Sequence, residues 1–331
     1  MIGIGISIPM MMPFAEDATA FVRPGVLRAP FVITRAQLAG VQSSAVNGTN
    51  DGLTFYGADV PRFTGSAQRL LIEGQGTNLI NNMAAPVTQN VTVTAAAHTL
   101  TLYGTGSITL SGVATGTLNG TGANNRVALT FTPTAGTLTL TVSGTVTRAQ
   151  LEVGGFATSY VEVSSGAATR GADTVTASLS SLGIAANGAC TVLSSCILPQ
   201  LAATSGADHR ILHIDDGTGN NGYQIRNFSG SNLNGQRVTG GVTTGGLIGN
   251  LTANVLFRVG MTIDGAGRVA FSLNGATPLI VTGGPTTGLT SLRVGINFNS
   301  TFFLWGEIER FRVLPYSVSD AELQFLVGAL P

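Results

Sequence analysis

The chain has 331 residues, with 16 basic and 16 acidic side chains, no formal net charge and only 10% charged residues. All 16 basic residues are arginine, placed singly, which rules out a Schiff-base lysine or a P-loop and argues against a nucleic-acid partner. Strand-patterned apolar residues are abundant, which argues against disorder, and no run of 18 apolar residues suggests a membrane partner.

Residues 1 to 64 read as irregular, with Pro9, Pro13, Pro24, Pro30 and Pro61 and a short helical candidate at Thr34–Leu38. The start, Met1-Ile-Gly-Ile-Gly-Ile-Ser-Ile-Pro9, lacks the basic flank of a signal peptide. Its alternation of Ile with Gly and Ser suits an extended arm that packs against a partner. Residues 65 to 163 form a first strand-rich zone. Within it, residues 87 to 147 hold one Arg (Arg126) and one His (His98), and Leu alternates with Thr in His98–Tyr103, Ser107–Ser111 and Thr137–Val142. Period two in β-branched and apolar residues predicts half-buried antiparallel strands. A stretch so poor in ionisable groups is a poor host for acid–base chemistry.

Residues 164 to 331 form a second strand-rich zone. Candidate strands are Cys190–Leu198, Arg210–Asp215, Gly222–Phe228, Leu256–Ile263, Arg268–Leu273, Leu279–Val281, Ser291–Ile296 and Gly306–Leu314. Asp264–Gly267 and Asn274-Gly275 are hairpin-type turns between them. Cys190 and Cys196 on one strand would lie roughly 20 Å apart, too far for a disulfide, so both are expected as buried free thiols. Ser319-Asp-Ala-Glu322 is a capping box for a C-terminal helix with Leu323, Leu326 and Val327 inward and Gly328 as its stop. The predicted class is all-β: two antiparallel β-sandwich or jelly-roll domains (65–163 and 164–331), after an irregular docking segment (1–64) and before a short C-terminal helix.

Several runs resemble known virion proteins. Ala149-Gln-Leu-Glu-Val-Gly-Gly-Phe-Ala-Thr-Ser-Tyr160 followed by Thr169-Arg-Gly-Ala-Asp173 resembles the end of a jelly-roll module of phage tail and spike proteins. Pro61-Arg-Phe63, Arg69-Leu-Leu-Ile-Glu73 and Thr77-Asn-Leu79 resemble the run that precedes it, with Gln68-Arg69 where a Gly is usual. Gly306–Tyr316 and Ser319–Leu323 resemble the last strand and helix of a concanavalin-like (laminin-G-type) lectin domain. Together these cover residues from about 60 to 331. They imply a head spike or tail fibre of a phage or of an alphaproteobacterial gene transfer agent. Such a protein sits on the virion surface, docks to capsid or tail proteins through its N-terminal segment and faces host capsular polysaccharide. Sister subunits would be five at a capsid vertex and otherwise three. Two alternatives are a spike base that never meets a glycan and a capsule depolymerase.

Sugar binding needs an aromatic face and a few amides or charged groups for hydroxyls. The candidates are Tyr223, Arg226, Asn227, Asn232, Asn297, Asn299 and Trp305, with Tyr316 beside them. Aromatics are only 6% of the chain, so a shallow site relying on avidity is expected. Asp215 and Asp216, in Asp215-Asp-Gly-Thr-Gly-Asn-Asn-Gly222, are the candidate ligands for a Ca²⁺ ion, without EF-hand spacing; no other cofactor is implied. His209 and His213 on a strand lie roughly 13 Å apart, too far to share zinc. Glu307 and Glu309 could pair as acid and nucleophile, but Phe311 stands where a third carboxylate would be and Arg310 and Arg312 fall on the opposite face. No nucleophile elbow, zinc motif or phosphate loop occurs, so no enzyme activity is expected.

Overall fold

The structure is a computed structural model that describes residues 19–35, 42–47, 52–162, 166–205 and 208–331. The expected all-β class holds. Antiparallel sheets carry nearly all of the described secondary structure, and the C-terminal helix spans Asp320–Gly328. The N-terminal Ile–Gly arm and most of the Thr34–Leu38 helical candidate lie outside the described residues, and Thr34 itself ends a strand.

The Leu–Thr stretch builds one sandwich. His98–Gly104 lies between Gly122–Phe131 and Val146–Val153, and a facing sheet runs Gly116–Asn119, Ser107–Gly112, Gly136–Ser143, Gln89–Val93. Leu100, Leu102, Ile108, Leu110, Leu138, Leu140 and Leu151 fill the space between them. The alternate Thr residues line up across strands, with Thr99 to Thr130 hydroxyls 3.0 Å apart and Thr109 to Thr117 3.2 Å apart. Such cross-strand pairs help fix the register.

The second sandwich draws on more of the chain than residues 164 to 331. One sheet runs Val242–Asn250, Asn232–Thr239, Gly222–Ser229, His209–Asp215, Ser291–Val294, Thr174–Ser178, Val32–Thr34. The other contains Cys190–Ile197, Phe257–Ile263, Arg268–Leu273, Leu279–Thr282 and Gly306–Leu314. Ala20–Arg23 and Arg69–Ile72 both pair with Gly306–Leu314. Of the segment expected to be irregular, Ala20–Arg23, Val26–Leu27, Val32–Thr34 and Phe63–Thr64 are therefore built into this sandwich, whereas Gln42–Asn47 and Gly52–Tyr56 form a separate sheet with Val161–Glu162. The reason is local: Ala20 and Val22 alternate inward, and Phe31 meets Phe311 edge-on at 5.4 Å between ring centres. Val22, Phe31, Ile33, Leu70 and Ile72 share one core with Tyr223, Ile225, Phe271 and Phe311.

Cys190 and Cys196 are both free and buried, and burial pushes each thiol up to about 12. They are poor nucleophiles at neutral pH. The helix packs on the outer side of the Cys190–Ile197 sheet through Leu323 and Val327, against Leu193 and Ala270. Gly260 allows this close approach: a Cβ there would lie 2.7 Å from both Val327 and Leu193 side-chain atoms. The Ser319 hydroxyl caps the helix by accepting the Glu322 amide at 3.2 Å. Gly328 is not a left-handed stop, since the helix runs through it to Ala329 at φ −87°. Ser319→Ala should cost about 0.5–2 kcal/mol in urea unfolding.

Four of the five runs that carry the spike-like resemblance, 61–63, 69–73, 149–160 and 169–173, meet in one buried ion network. Asp173 accepts from Arg35 at 2.7 Å, from Arg62 at 2.5 Å and from the Glu73 amide at 2.9 Å. Glu73 pairs with Arg62 at 2.9 Å and Arg170 at 3.4 Å, and accepts the Ser159 amide and hydroxyl at 2.9 and 2.6 Å. Arg35, Arg62, Arg170 and Asp173 show no exposed surface. The network ties Arg35 and Arg62 to Ser159 at the end of the first sandwich and to Arg170–Asp173 at the start of the second.

Candidate functional site: a polar sheet face

Strand alternation sorts the sheet around Gly222–Ser229 into two faces. Tyr223 and Ile225 point into the core, so Gln224 and Arg226 point away. Register extends this into two transverse rows. Arg210, Arg226 and Asn234 lie side by side, as do Arg293, His213, Gln224 and Gln236.

The rows are bonded to each other. An Arg210 guanidinium N–H donates to Gln224 Oε1, and Gln224 Nε2 donates to Gln236 Oε1 at 2.7 Å. Asp208 accepts from Arg226 at 2.7 Å and from Arg210 at 3.4 Å. Two aromatic rings lie against this face. The Arg226 guanidinium is 4.1 Å from the ring centre of Phe228 and that of Arg210 is 5.7 Å from Phe302. Phe228 and Phe302 are 43% and 40% exposed. Phe298 meets His213 at 6.2 Å.

Several polar atoms here are buried with no hydrogen-bond partner among the described residues: Asp208 Oδ1, Arg210 Nε, Arg226 Nε and His213 Nδ1. Buried polar groups are normally satisfied, so these point to spare hydrogen-bonding capacity at the face. Burial pushes the His213 imidazole down to about 3, reinforced by Arg210 and Arg293. His213 is thus neutral at physiological pH and works as a donor–acceptor rather than a charge.

The predicted site residues divide sharply. Arg226 lies on the polar face. Tyr223 does not: it is fully buried in the core, so its ring cannot stack on a ligand. Asn227 is also buried and is spent on structure, accepting the Ala202 amide at 2.8 Å and donating to the Gly230 and Asn232 carbonyls. Asn232 is exposed at the end of the adjoining strand. Asn297 is buried and folds the 297–302 loop by accepting the Thr301 and Phe302 amides at 2.8 and 2.9 Å. Exposed Asn299 accepts from Asn297 and Thr301. This loop is what places Phe298 and Phe302.

Trp305 lies elsewhere, against Phe156 and Phe303 with ring centres 5.5 and 6.0 Å away. Its φ of +50° is uncommon for a bulky residue and costs on the order of 1–3 kcal/mol. Asp215 and Asp216 do not fit a cation. Asp215 is buried and bound to Arg293 Nε at 2.6 Å and to the Gly217 amide. Asp216 accepts from Thr218 and Asn221 in a local turn. Among the described residues no group of three or more His, Cys, Asp or Glu could hold a metal.

His209 and His213 fall on opposite faces. A bulge between Arg210 and Leu212 shifts the register, pairing His209 with core-facing Asn227 and His213 with outward Gln224. Glu307 and Glu309 share one partner, Arg69, at 3.6 and 2.6 Å. A bulge at Ser195/Cys196 interrupts the pairing of their strand between Ile308 and Arg310. Ile308, Phe311 and Val313 point into the core, so Arg312 faces outward with the two glutamates rather than opposite them.

Sequence reasoning missed Gln224, Gln236, Asp208, Phe228 and Phe302. The run Tyr223-Gln-Ile-Arg-Asn227 held the signal for Gln224. Once Tyr223 and Ile225 are core residues, period two places Gln224 and Arg226 outward.

No family model and no curated protein matches the chain. Solved structures do. One is the Ruminococcus gnavus IT-sialidase CBM40 bound to α2,3-sialyllactose. It is 17% identical over 45% of this chain and 86% of that one, with a TM-score of 0.36. Another is Domain 4 of AbnA, an extracellular arabinanase from Geobacillus stearothermophilus, in complex with arabinotriose. It is 15% identical over 47% of this chain and 73% of that one, with a TM-score of 0.38. A third is the botulinum neurotoxin serotype D binding domain, 12% identical over 47% of this chain and 40% of that one, with a TM-score of 0.36.

Proposed function

We propose that this chain is a non-catalytic glycan-binding protein, and that it serves on a virion surface as a head spike that attaches a phage or gene transfer agent to host capsular polysaccharide. The observation that carries the glycan reading is the face of half-buried Gln236 and Arg226, braced from beneath by buried Gln224 and Arg210 and flanked by half-exposed Phe228 and Phe302. Amides and guanidinium groups in fixed geometry suit sugar hydroxyls, and the rings suit their C–H faces. Binding of this kind calls for no cofactor. The virion reading draws on the spike-like runs, and their convergence on one buried network supports treating them as a single structural unit. Weak contacts on each subunit would add through an assembly of sister subunits. The N-terminal segment remains the proposed docking part. The depolymerase alternative has less to stand on, since both Glu307 and Glu309 are engaged with Arg69.

The test uses the full chain on an array of capsular polysaccharides. The expected result is retention on at least one of them, weakened about five- to tenfold or more by Gln224→Ala with Gln236→Ala, since each lost hydrogen bond is worth about 1 kcal/mol. A chain that binds none of them, yet still assembles on particles, is a spike base, and the glycan reading falls. Release of shortened polysaccharide would make it a depolymerase.

A further inference from the structure

Trp305 forms one wall of a cleft of about 170 Å³ whose lining includes neither Gln224 nor Gln236. Phe156, Gln75, Glu152, Thr158 and Ser205 line it with Trp305. That volume is below the roughly 300–1,000 Å³ of drug-sized sites, and suits a single ring. Gly74 lets the indole seat there: a Cβ at that position would lie 2.2 Å from Trp305 Cζ2. The strained backbone of Trp305 is held by these contacts, and strain of that kind clusters at functional sites.

The polar groups of the cleft are fixed in place. Glu152 is buried; its Oε1 accepts from Gln150 at 2.7 Å and from the Thr158 amide at 2.9 Å, and its Oε2 accepts the Thr158 hydroxyl at 2.5 Å. Ser205 Oγ lies 2.7 Å from His209 Nε2, and the other ring nitrogen of His209 donates to the Leu304 carbonyl at 2.9 Å, beside Trp305. Gln75 is exposed at the mouth. The lining has one acidic side chain and no basic one, which disfavours an anionic ligand.

We infer that the cleft at Trp305 is a second binding site, for one uncharged pyranose ring stacked on the indole with its hydroxyls on Gln75 and Glu152. Only the class of ligand rests on the glycan reading above; the cleft itself does not. The chain gives a clean reporter, because Trp305 is its single tryptophan.

The experiment follows Trp305 emission of the full chain while methyl glycosides of glucose, galactose, mannose and rhamnose, and N-acetylglucosamine, are added one at a time to about 50 mM. A single ring is expected to bind in the millimolar range. The expected result is a saturable emission change with at least one neutral sugar, weakened about five- to tenfold in Gln75→Ala, unchanged in Gln224→Ala, and absent with glucuronate. Gln75 is exposed, so its replacement leaves the fold intact; Ser205→Ala gives a second check on the same wall. No saturable change with any neutral sugar overturns the inference, as does a response equal in wild type, Gln75→Ala and Ser205→Ala. If polysaccharide binds the full chain and Trp305 stays silent, the cleft inference fails while the sheet-face reading stands. If free sugars shift the emission and no polysaccharide binds, the reverse holds.

Discussion

Asp173→Asn should lower the unfolding free energy by about 3–5 kcal/mol, measured by urea denaturation of the full chain, because it breaks a buried ion network from one side. In the native chain three guanidinium groups, Arg35, Arg62 and Arg170, face two carboxylates, Asp173 and Glu73, with none of the three exposed. Asn keeps the shape of Asp but removes the charge, taking one of the two carboxylates away from three buried guanidinium groups. The same network sets a pH dependence. Burial alone pushes the Asp173 carboxyl up, but Arg62, Arg170 and Arg35 outweigh it and hold the group below the ordinary carboxylate range. Glu73 behaves likewise, with burial opposed by Arg170 and Arg62. Both folded values lie under the unfolded values of about 3.9 and 4.3, so the stabilisation is complete above those values and is lost as pH falls through and below them. Glu152, which burial pushes up, contributes in the opposite direction. Wild type should therefore lose stability on acidification below about pH 5, and Asp173→Asn should show a shallower slope. Equal slopes would mean that the network is not the acid-sensitive element.

The sequence reads well where period two is undisturbed. His98–Gly104 alternates Thr with Leu and Arg268–Leu273 sets Val, Phe and Leu at period two, and both strands match expectation closely; Cys190–Ile197 matches too, as a short run buried on both faces. Val242–Asn250 does not announce itself, because Val-Thr-Thr-Gly-Gly-Leu-Ile-Gly-Asn is glycine-rich and mostly exposed at a sheet edge. The site is harder to read than the fold because it depends on parity. Composition alone groups Tyr223 and Arg226 as sugar ligands, yet residues three apart on a strand face opposite ways. The bulge after Arg210 then puts His209 and His213, four apart, on opposite faces, and no local sequence pattern marks it. Pairing of Ala20–Arg23 with Gly306–Leu314 spans nearly the whole chain. Only tertiary packing decides contacts at that separation.

That long-range pairing leads to the other large effect: a fragment of residues 164–331, although it contains every lectin-like motif, should not fold by itself. It lacks Val22, Phe31, Ile33, Leu70 and Ile72, all buried in the same core as Phe271 and Phe311. Burying such side chains is worth about 1.5–3 kcal/mol each, so the five together approach the 5–15 kcal/mol that stabilises a typical domain. Their loss would also expose two strand flanks. Ser178-side residues Val175 and Thr176 would lose Ile33 and Val32, and Gly306–Ile308 would lose Leu70–Ile72. Unpaired apolar edges of this kind favour aggregation. The expected result is an insoluble or uncooperatively unfolding fragment, with solubility and a single urea transition restored when residues 19–35 and 62–74 are supplied as part of the full chain. A soluble, cooperative 164–331 fragment would show that the early strands decorate the sandwich without completing it. Gln224, Gln236 and Arg226 all lie within that fragment, and their polar face is ordered only by the core beneath it, so a loss of glycan binding by the fragment would report on folding and a loss by the full-length Gln224→Ala chain would report on the site.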